Sequence, residues 1–348
     1  MRGLLLSYEF CFLTPVSCLL FPDSCFLGTE IMIATRSLNR PHRRTGFTLI
    51  ELLIVIAIIG ILIGFLVPAV GGAMKRARVT SVRAEISQLE TAIGRFRSVY
   101  NMDPPSSIAL WENPANNNGW TSASPSVAAI SSRAVIRQLW PQFNFAAARD
   151  LNGNGNTTDA PITLSGGECL VFFLGGINTT NIVGNIGACT GFSKNPADPF
   201  ARLGAREASL FEFLPARFTD AGTPNGFPEY RDPLPSQTYP YQYFSSYDGQ
   251  GYDPTEFGPG TLVEPYRQGT TATSPYWKPN SYQIVSPGYD RAYGFGGAYV
   301  ATGTDRVPSG TTVASQYPNL FSSSAPTAAQ RAPETDNITN FSAGELQP

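Results

Sequence analysis

Histidine is nearly absent from this sequence of 348 residues: there is one, His42. Any cut downstream of it leaves no histidine, which removes Ser-His-Asp and Cys-His catalysis and every His-containing metal centre. Charge is scarce as well, at 14% against roughly a quarter in an average protein. With a net charge of −2, nothing points to binding of a nucleic acid or another polyanion. Of 5 cysteines, Cys11, Cys18 and Cys25 lie in the first 30 residues, which leaves Cys169 and Cys189. That pair suits one disulfide outside the cytoplasm, or two buried thiols. There is no Walker loop and no Cys-x-x-Cys, and Gly294-Phe295-Gly296-Gly297 lacks the strand and helix flanks of a dinucleotide fingerprint. The chain reads as non-enzymatic. By contrast, Gly 33 and Pro 29 supply many turns and long loops, and Tyr 15 and Phe 22 favour strands.

One stretch organises the rest: Arg43-Arg44-Thr45-Gly46-Phe47-Thr48-Leu49-Ile50-Glu51, running into Leu52 to Val70. Glu51 is the single charged residue between Phe47 and Val70. About 24 helical residues rise roughly 36 Å, enough to cross a hydrocarbon core of about 30 Å. A lone carboxylate in such a segment is costly in lipid and needs a partner. A secretory signal would have a shorter apolar run and an Ala-x-Ala site after it. Arg36, Arg40, Arg43 and Arg44 before the run are balanced by Lys75, Arg76, Arg78 and Arg83 after it, so charge does not choose the cytoplasmic side. Pro68 removes one helical hydrogen bond and is expected to kink the helix. Gly60-x-x-x-Gly64 allows close helix contact. These residues suit a deformable helix packing among copies of itself, or are simply tolerated in a membrane helix.

Past Met74, Val79, Val82, Ile86, Leu89, Ile93, Phe96 and Tyr100 recur at three- and four-residue spacing, which predicts an amphipathic continuation of the same helix. Asn101-Met102-Asp103-Pro104-Pro105 ends it. Residues 105–132 read as loop, with a short helix over Ser131 to Phe145. Asp150, Asn152 and Asn154 alternate as in the first half of an EF-hand loop, with Gly155 at the sharp turn. Pro161 stands where the twelfth-position acid belongs, and Asp159 or Glu168 would have to replace it. A solvated Asn/Gly turn explains the same residues. Glu168 to Gly176 is a buried strand or a short buried helix. Gly187 to Phe200 and Thr302 to Ala332 read as loops, and Ser281 to Ser286 as a strand followed by a turn over Gly288 to Arg291.

Gly46-Phe47-Thr48-Leu49-Ile50-Glu51-Leu52-Leu53 resembles the processing site of type IV pilins and type II secretion pseudopilins, and the likeness extends from Arg43 to Tyr100. Arg231-Asp232-Pro233 with Tyr239-Pro240-Tyr241-Gln242-Tyr243-Phe244 is similar to the segment that opens the small sheet of the major pseudopilins. The resemblance implies an α+β, pilin-like fold: a long N-terminal helix packed on a small antiparallel sheet domain with long loops. Residues 1–46 would be a cytoplasmic leader, for which we expect Met32 as the true start. A prepilin peptidase would cut between Gly46 and Phe47 and methylate the Phe47 amine, with Glu51 serving methylation and assembly. Residues 47–70 would hold the protein in the inner membrane by a single pass. Residues 71–101 would continue the helix, and 102–348 would form a globular domain in the periplasm or at the cell surface. The implied partners are an assembly platform with its ATPase and other pseudopilins in a homo-oligomeric filament. The resemblance also implies a calcium site, for which Asp290 and Asp336 are the nearest acids. A pseudopilin supporting protein export is the leading expectation. A surface pilin for adhesion, motility or DNA uptake and a membrane-anchored binding protein are the alternatives.

Overall fold

The computed structural model describes residues 46–347 apart from 180, 183–184, 221–224, 254–255, 257–262, 272 and 310–326. Most of the expected leader, residues 1–45 with Met32, His42, Arg43, Arg44 and the first three cysteines, lies outside the described residues. The chain divides into two units, Met1–Gly60 and Ile61–Pro348.

Helix α1 (Leu49–Tyr100) comprises 52 residues and continues through Pro68. The N-terminal unit contributes its start, and nothing there is covered: Leu49, Ile50, Leu52 and Leu53 are all exposed. In the second unit the helix buries Val82, Ile86, Leu89, Ala92, Ile93 and Phe96, the stripe that the spacing predicts. Asn101 ends it in the left-handed conformation (φ 57°), donating its amide to the Arg97 carbonyl at 2.8 Å, a common C-terminal device.

The remaining elements of the second unit follow in order. They are β1 (Ile108–Leu110), α2 (Val127–Leu139), β2 (Ile162–Leu164), α3 (Gly166–Gly175), β3 (Asn181–Ile182), β4 (Asn185–Ile186), β5 (Phe218–Thr219), β6 (Glu229–Tyr230), β7 (Gln242–Ser245), β8 (Glu264–Arg267), β9 (Tyr282–Ser286), β10 (Gly296–Ala298), α4 (Ala328–Arg331) and β11 (Ile338–Thr339). The central sheet is antiparallel, in the order β11-β9-β7, with Tyr243 opposite Ile284 and Thr339 opposite Val285. Successive side chains on a strand point to opposite faces. Tyr243, Tyr282 and Ile284 accordingly join the core that takes the α1 stripe. Phe244 and Val285 join a second cluster with Tyr266, Tyr293 and Tyr299. The β7 and β9 strands are therefore buried on both faces, which the alternating pattern of Ser281 to Ser286 does not suggest. Elsewhere, β1 pairs with β2, β3 with β4 and β5 with β6, all antiparallel, while β8 pairs with β10 in parallel.

Several expectations change. The stretch 105–132 is not all loop: β1 lies in it, paired with β2 more than fifty residues away. Helix α2 starts and stops earlier than Ser131 to Phe145, because the Ser126 hydroxyl accepts the Ala129 amide and caps it. Phe143 and Phe145 are buried beyond its end, edge-on to Trp120. The ambiguous stretch at Glu168 is helix: Ser165 and Glu168 form a reciprocal capping box, and residues from Gly167 to Gly175 are buried all round. Gly166 is required there, since a Cβ would lie 1.9 Å from the Tyr243 carbonyl oxygen. The expected loop ending at Ala332 contains α4 and runs into a 3-10 turn, Ala332–Asp336.

Candidate functional site

The site begins at Gly46 and Phe47, both exposed. Thr48 caps α1: its hydroxyl accepts the Glu51 amide at 3.3 Å, and Glu51 Oε2 accepts the Thr48 amide at 2.9 Å and its hydroxyl at 2.8 Å. Two orphan donors of the first turn are satisfied reciprocally. The carboxylate also lies at the positive end of the helix dipole. The Thr-x-x-Glu spacing is a capping signal legible in the sequence, so Glu51 is not the lone acid that the apolar run alone implies. Glu51 Oε1 makes no hydrogen bond among the described residues.

From Phe47 onward the helix exposes its apolar side chains, with Phe65 76% exposed. Its most apolar stretch has a mean hydropathy of 3.1 and none of it is buried. Length and composition suit a membrane-anchored protein.

Further along, polar groups tie α1 to the sheet domain. Arg217 grips Glu85 with both terminal nitrogens, at 2.7 and 2.6 Å, and stacks over Tyr230 at 4.2 Å. The Tyr241 hydroxyl donates to the same carboxylate at 2.8 Å. Lys75 pairs with Glu345 at 2.8 Å, and Arg97 with Asp248 at 2.6 Å. No local pattern signals these pairs, because each joins residues more than a hundred positions apart.

The expected metal residues separate into two places. Asp290 and Asp336 meet: Asp336 Oδ2 accepts the amides of Tyr289 at 2.6 Å and Asp290 at 3.0 Å, and its Oδ1 is buried without a partner. Burial pushes Asp336 up to about 6. Two carboxylates with one free buried oxygen fit a hard cation. Asp232 of the Asp-Pro segment is buried beside them, accepting from Ser286 at 2.6 Å and Gln237 at 2.9 Å. Asp150, Asn152 and Asn154 share a turn with Asp159, whose Oδ2 accepts both asparagine amides. Glu168 does not join them; it is committed to Ser165 and Asn225. Cys169 and Cys189 are free thiols. Cys169 lies against the Leu164 carbonyl, while Cys189 sits at Gly175, about 9 Å further along α3 by helical rise.

The chain matches the model of the prokaryotic N-terminal methylation motif over residues 41–67. It is 33% identical over 82 residues to the type II secretion system core protein G of Vibrio cholerae, covering 23% of this chain and 56% of that protein. It is 45% identical over 80 residues to the type IV wide pilus major component PilA4 of Thermus thermophilus, covering 20% of this chain and 58% of that protein. It is 50% identical over 48 residues to the type IV major fimbrial protein FimA of Dichelobacter nodosus, covering 14% and 31%. The chain thus spans between about a third and somewhat over half of these curated relatives. No solved structure matches. The methylation motif over residues 41–67, the capped apolar helix that follows and these relatives agree in making the N-terminal part of the chain similar to that of type IV pilins and type II secretion pseudopilins.

Proposed function

We propose that this protein is a pseudopilin-type filament subunit that supports protein export. Its precursor is cut between Gly46 and Phe47 by a prepilin peptidase, which methylates the new amine. The mature chain is held in the inner membrane by its apolar helix, with the sheet domain on the periplasmic side, and an assembly platform and ATPase draw it into a filament. The observation that carries this reading is the exposed N-terminal helix with one acid at its third turn-forming position, Glu51. Helices so exposed need either lipid or one another around them. Glu51 Oε1 then pairs with the Phe47 amine of a neighbouring copy and fixes the stagger between helices, while Oε2 stays on Thr48. Pro68 gives the helix the local softness to pack among copies. A type IV pilin is the second reading, favoured by the likeness to FimA and PilA4. Asp290 and Asp336 would hold calcium, which would brace the C-terminal loops.

Two variants of Glu51 test the pairing. Glu51→Gln keeps a capping side chain but removes the charge, and Glu51→Val removes both. We expect both to insert and be cleaved, with filament yield falling at least about tenfold, the equivalent of roughly 1.4 kcal/mol. Wild-type filament yield from Glu51→Gln would show that the charge does not set the register. Mass spectrometry of the mature protein should find methylated Phe47 at its N-terminus.

A further inference from the structure

Glu112 is a buried acid that the filament reading does not use. It lies just beyond β1 and is 0% exposed. Its Oε1 accepts the amides of Leu151 at 2.9 Å and Asn152 at 3.3 Å. Its Oε2 is buried with no hydrogen-bond partner. A buried charged oxygen without a partner is costly, and native proteins rarely leave one so. Burial pushes this carboxyl up, the amides of Asn152 and Leu151 pull it back, the Asp159 carboxylate pushes it up again, and the nearby Asp159 amide draws it down. Glu112 therefore faces the Asp150–Asp159 loop from behind, within electrostatic reach of Asp159.

That loop is folded around its oxygens. Asp150 Oδ1 accepts the Gly153 amide at 2.6 Å, and its Oδ2 accepts the Gly155 amide at 2.9 Å. Gly155 turns the chain at φ 90°. Asn152 and Asn154 each aim Nδ2 at the same Asp159 oxygen, at 2.8 and 2.6 Å. Two N–H groups converging on one carboxylate oxygen supply the positive charge density that a cation would supply. A half-turn of a side-chain amide exchanges its nitrogen for its oxygen. Turning both over makes Asn152 and Asn154 oxygen ligands beside Asp159, at the cost of the bonds their Oδ1 atoms accept from the Asn154 and Asn156 amides. Among the described residues no three His, Cys, Asp or Glu already stand together at ligating distance, so the amide oxygens are essential to the set. The charges around the loop also suit a divalent ion. Arg149 is matched by Asp198 at 2.6 Å. Arg202 sits against the loop, donating to the Leu151 carbonyl at 2.7 Å. One guanidinium against Glu112, Asp150 and Asp159 leaves two negative charges.

We propose that the Asp150–Asp159 loop, closed from behind by Glu112, binds a divalent cation of the calcium type. Asp159, the turned Asn152 and Asn154 amide oxygens and Glu112 Oε2 are its ligands, while Asp150 holds the loop in shape through the Gly153 and Gly155 amides. Hard oxygens in this number are what calcium takes, with water completing the shell. The sequence pattern lacks an acid at the end of the loop, and the fold brings one from just beyond β1, 39 positions before Leu151. The site does not depend on the filament reading.

The test uses the whole chain, purified in detergent and stripped with a chelator. Terbium is the probe, excited through tryptophan, since Trp111 adjoins Glu112 and packs on Trp120 with ring centres 5.7 Å apart. Saturable terbium luminescence that calcium displaces is expected. Asp159→Ala, which removes a ligand, and Asp150→Asn, which removes a charge from the loop, should each weaken it about tenfold or more, because charge sets affinity in such loops. Asp290→Asn/Asp336→Asn should leave it unchanged. Glu112→Gln should weaken it similarly, with circular dichroism reporting whether that variant folds. Absence of a saturable signal, a signal indifferent to Asp159→Ala and Asp150→Asn, or one lost only in the Asp290/Asp336 variant would overturn the proposal.

Discussion

Within the single helix α1, the residues from Leu49 to Val70 and the stripe from Val82 to Phe96 are alike in chemical kind and opposite in what covers them. The first set is Leu, Ile, Val and Phe on every face, and all of it is exposed. The second is Val, Ile, Leu and Phe on one face, and all of it is buried. The first half has no polar face to turn outward, so its surroundings must be apolar on all sides, as lipid or other helices provide. The second half presents Glu85, Glu90 and Arg97 beside its stripe, and each finds a partner in the sheet domain. One half thus has its partners inside the chain, and the other takes them from outside it.

The comparison breaks most readily at Phe96. It is fully buried and edge-on to Phe173. Phe96→Ala should destabilise the sheet domain by about 3–5 kcal/mol in chemical denaturation. Phe65→Ala should leave that transition unmoved and act only on membrane retention or filament yield. Equal effects of the two on unfolding would erase the distinction.

Arg217→Met comes next. It strands Glu85, whose side chain is 14% exposed, and should cost about 3 kcal/mol. The double variant with Glu85→Met should recover most of the loss, as measured by the same denaturation.

Acid-base behaviour sharpens the contrast further. Burial, with Glu229 nearby, raises Glu168 from 4.5 to about 8 against the pull of the Ser165 amide. Burial raises Glu229 from 4.5 to about 7. A folded state that holds these carboxyls protonated binds more protons than the unfolded chain between about pH 4.5 and 8. Stability contributed there is present at low pH and declines as pH rises through that window. The urea midpoint of the sheet domain should therefore fall from pH 5 to pH 8. Glu168→Gln, which keeps a capping side chain, should flatten the slope. A midpoint that rises over this interval would contradict the burial of the pair.

The smallest effect is expected at Thr48. Thr48→Val removes the hydroxyl that caps α1 and should speed hydrogen exchange at the first-turn amides, without changing the denaturation of the sheet domain. Unchanged exchange at Glu51 would mean that the cap does not hold the first turn.

Much of α1 was legible because its signals are local. A run of apolar residues, a three- and four-residue stripe and an Asn-to-Pro terminus each lie within a few turns. The strand β9 was legible from the alternation of Ser281 to Ser286, and β7 from the resemblance of Tyr239 to Phe244 to the segment that opens the pseudopilin sheet. The strand β1 was not: three residues in a polar stretch become a strand only because β2 lies opposite them. Nor was the helical state of α3, whose all-round burial gives no period to read, although its Ser-x-x-Glu cap was present. The loop at Asp150 was visible as a half-pattern, but its bonds to Glu112 were not, because they join residues 39 and 40 positions apart.

By itself, the sequence determined that a methylation motif spans residues 41–67, that an apolar helix lies in and beyond it, and that the one histidine stands before that helix, because these depend on residue identity and local order. The tertiary structure alone decided which half of the helix is covered, that Glu51 is held by Thr48 through only one of its oxygens, and that Glu112 accepts the amides of Leu151 and Asn152. The latter two are distances between atoms, and the first is a matter of packing; a folded chain sets both by bringing remote segments together.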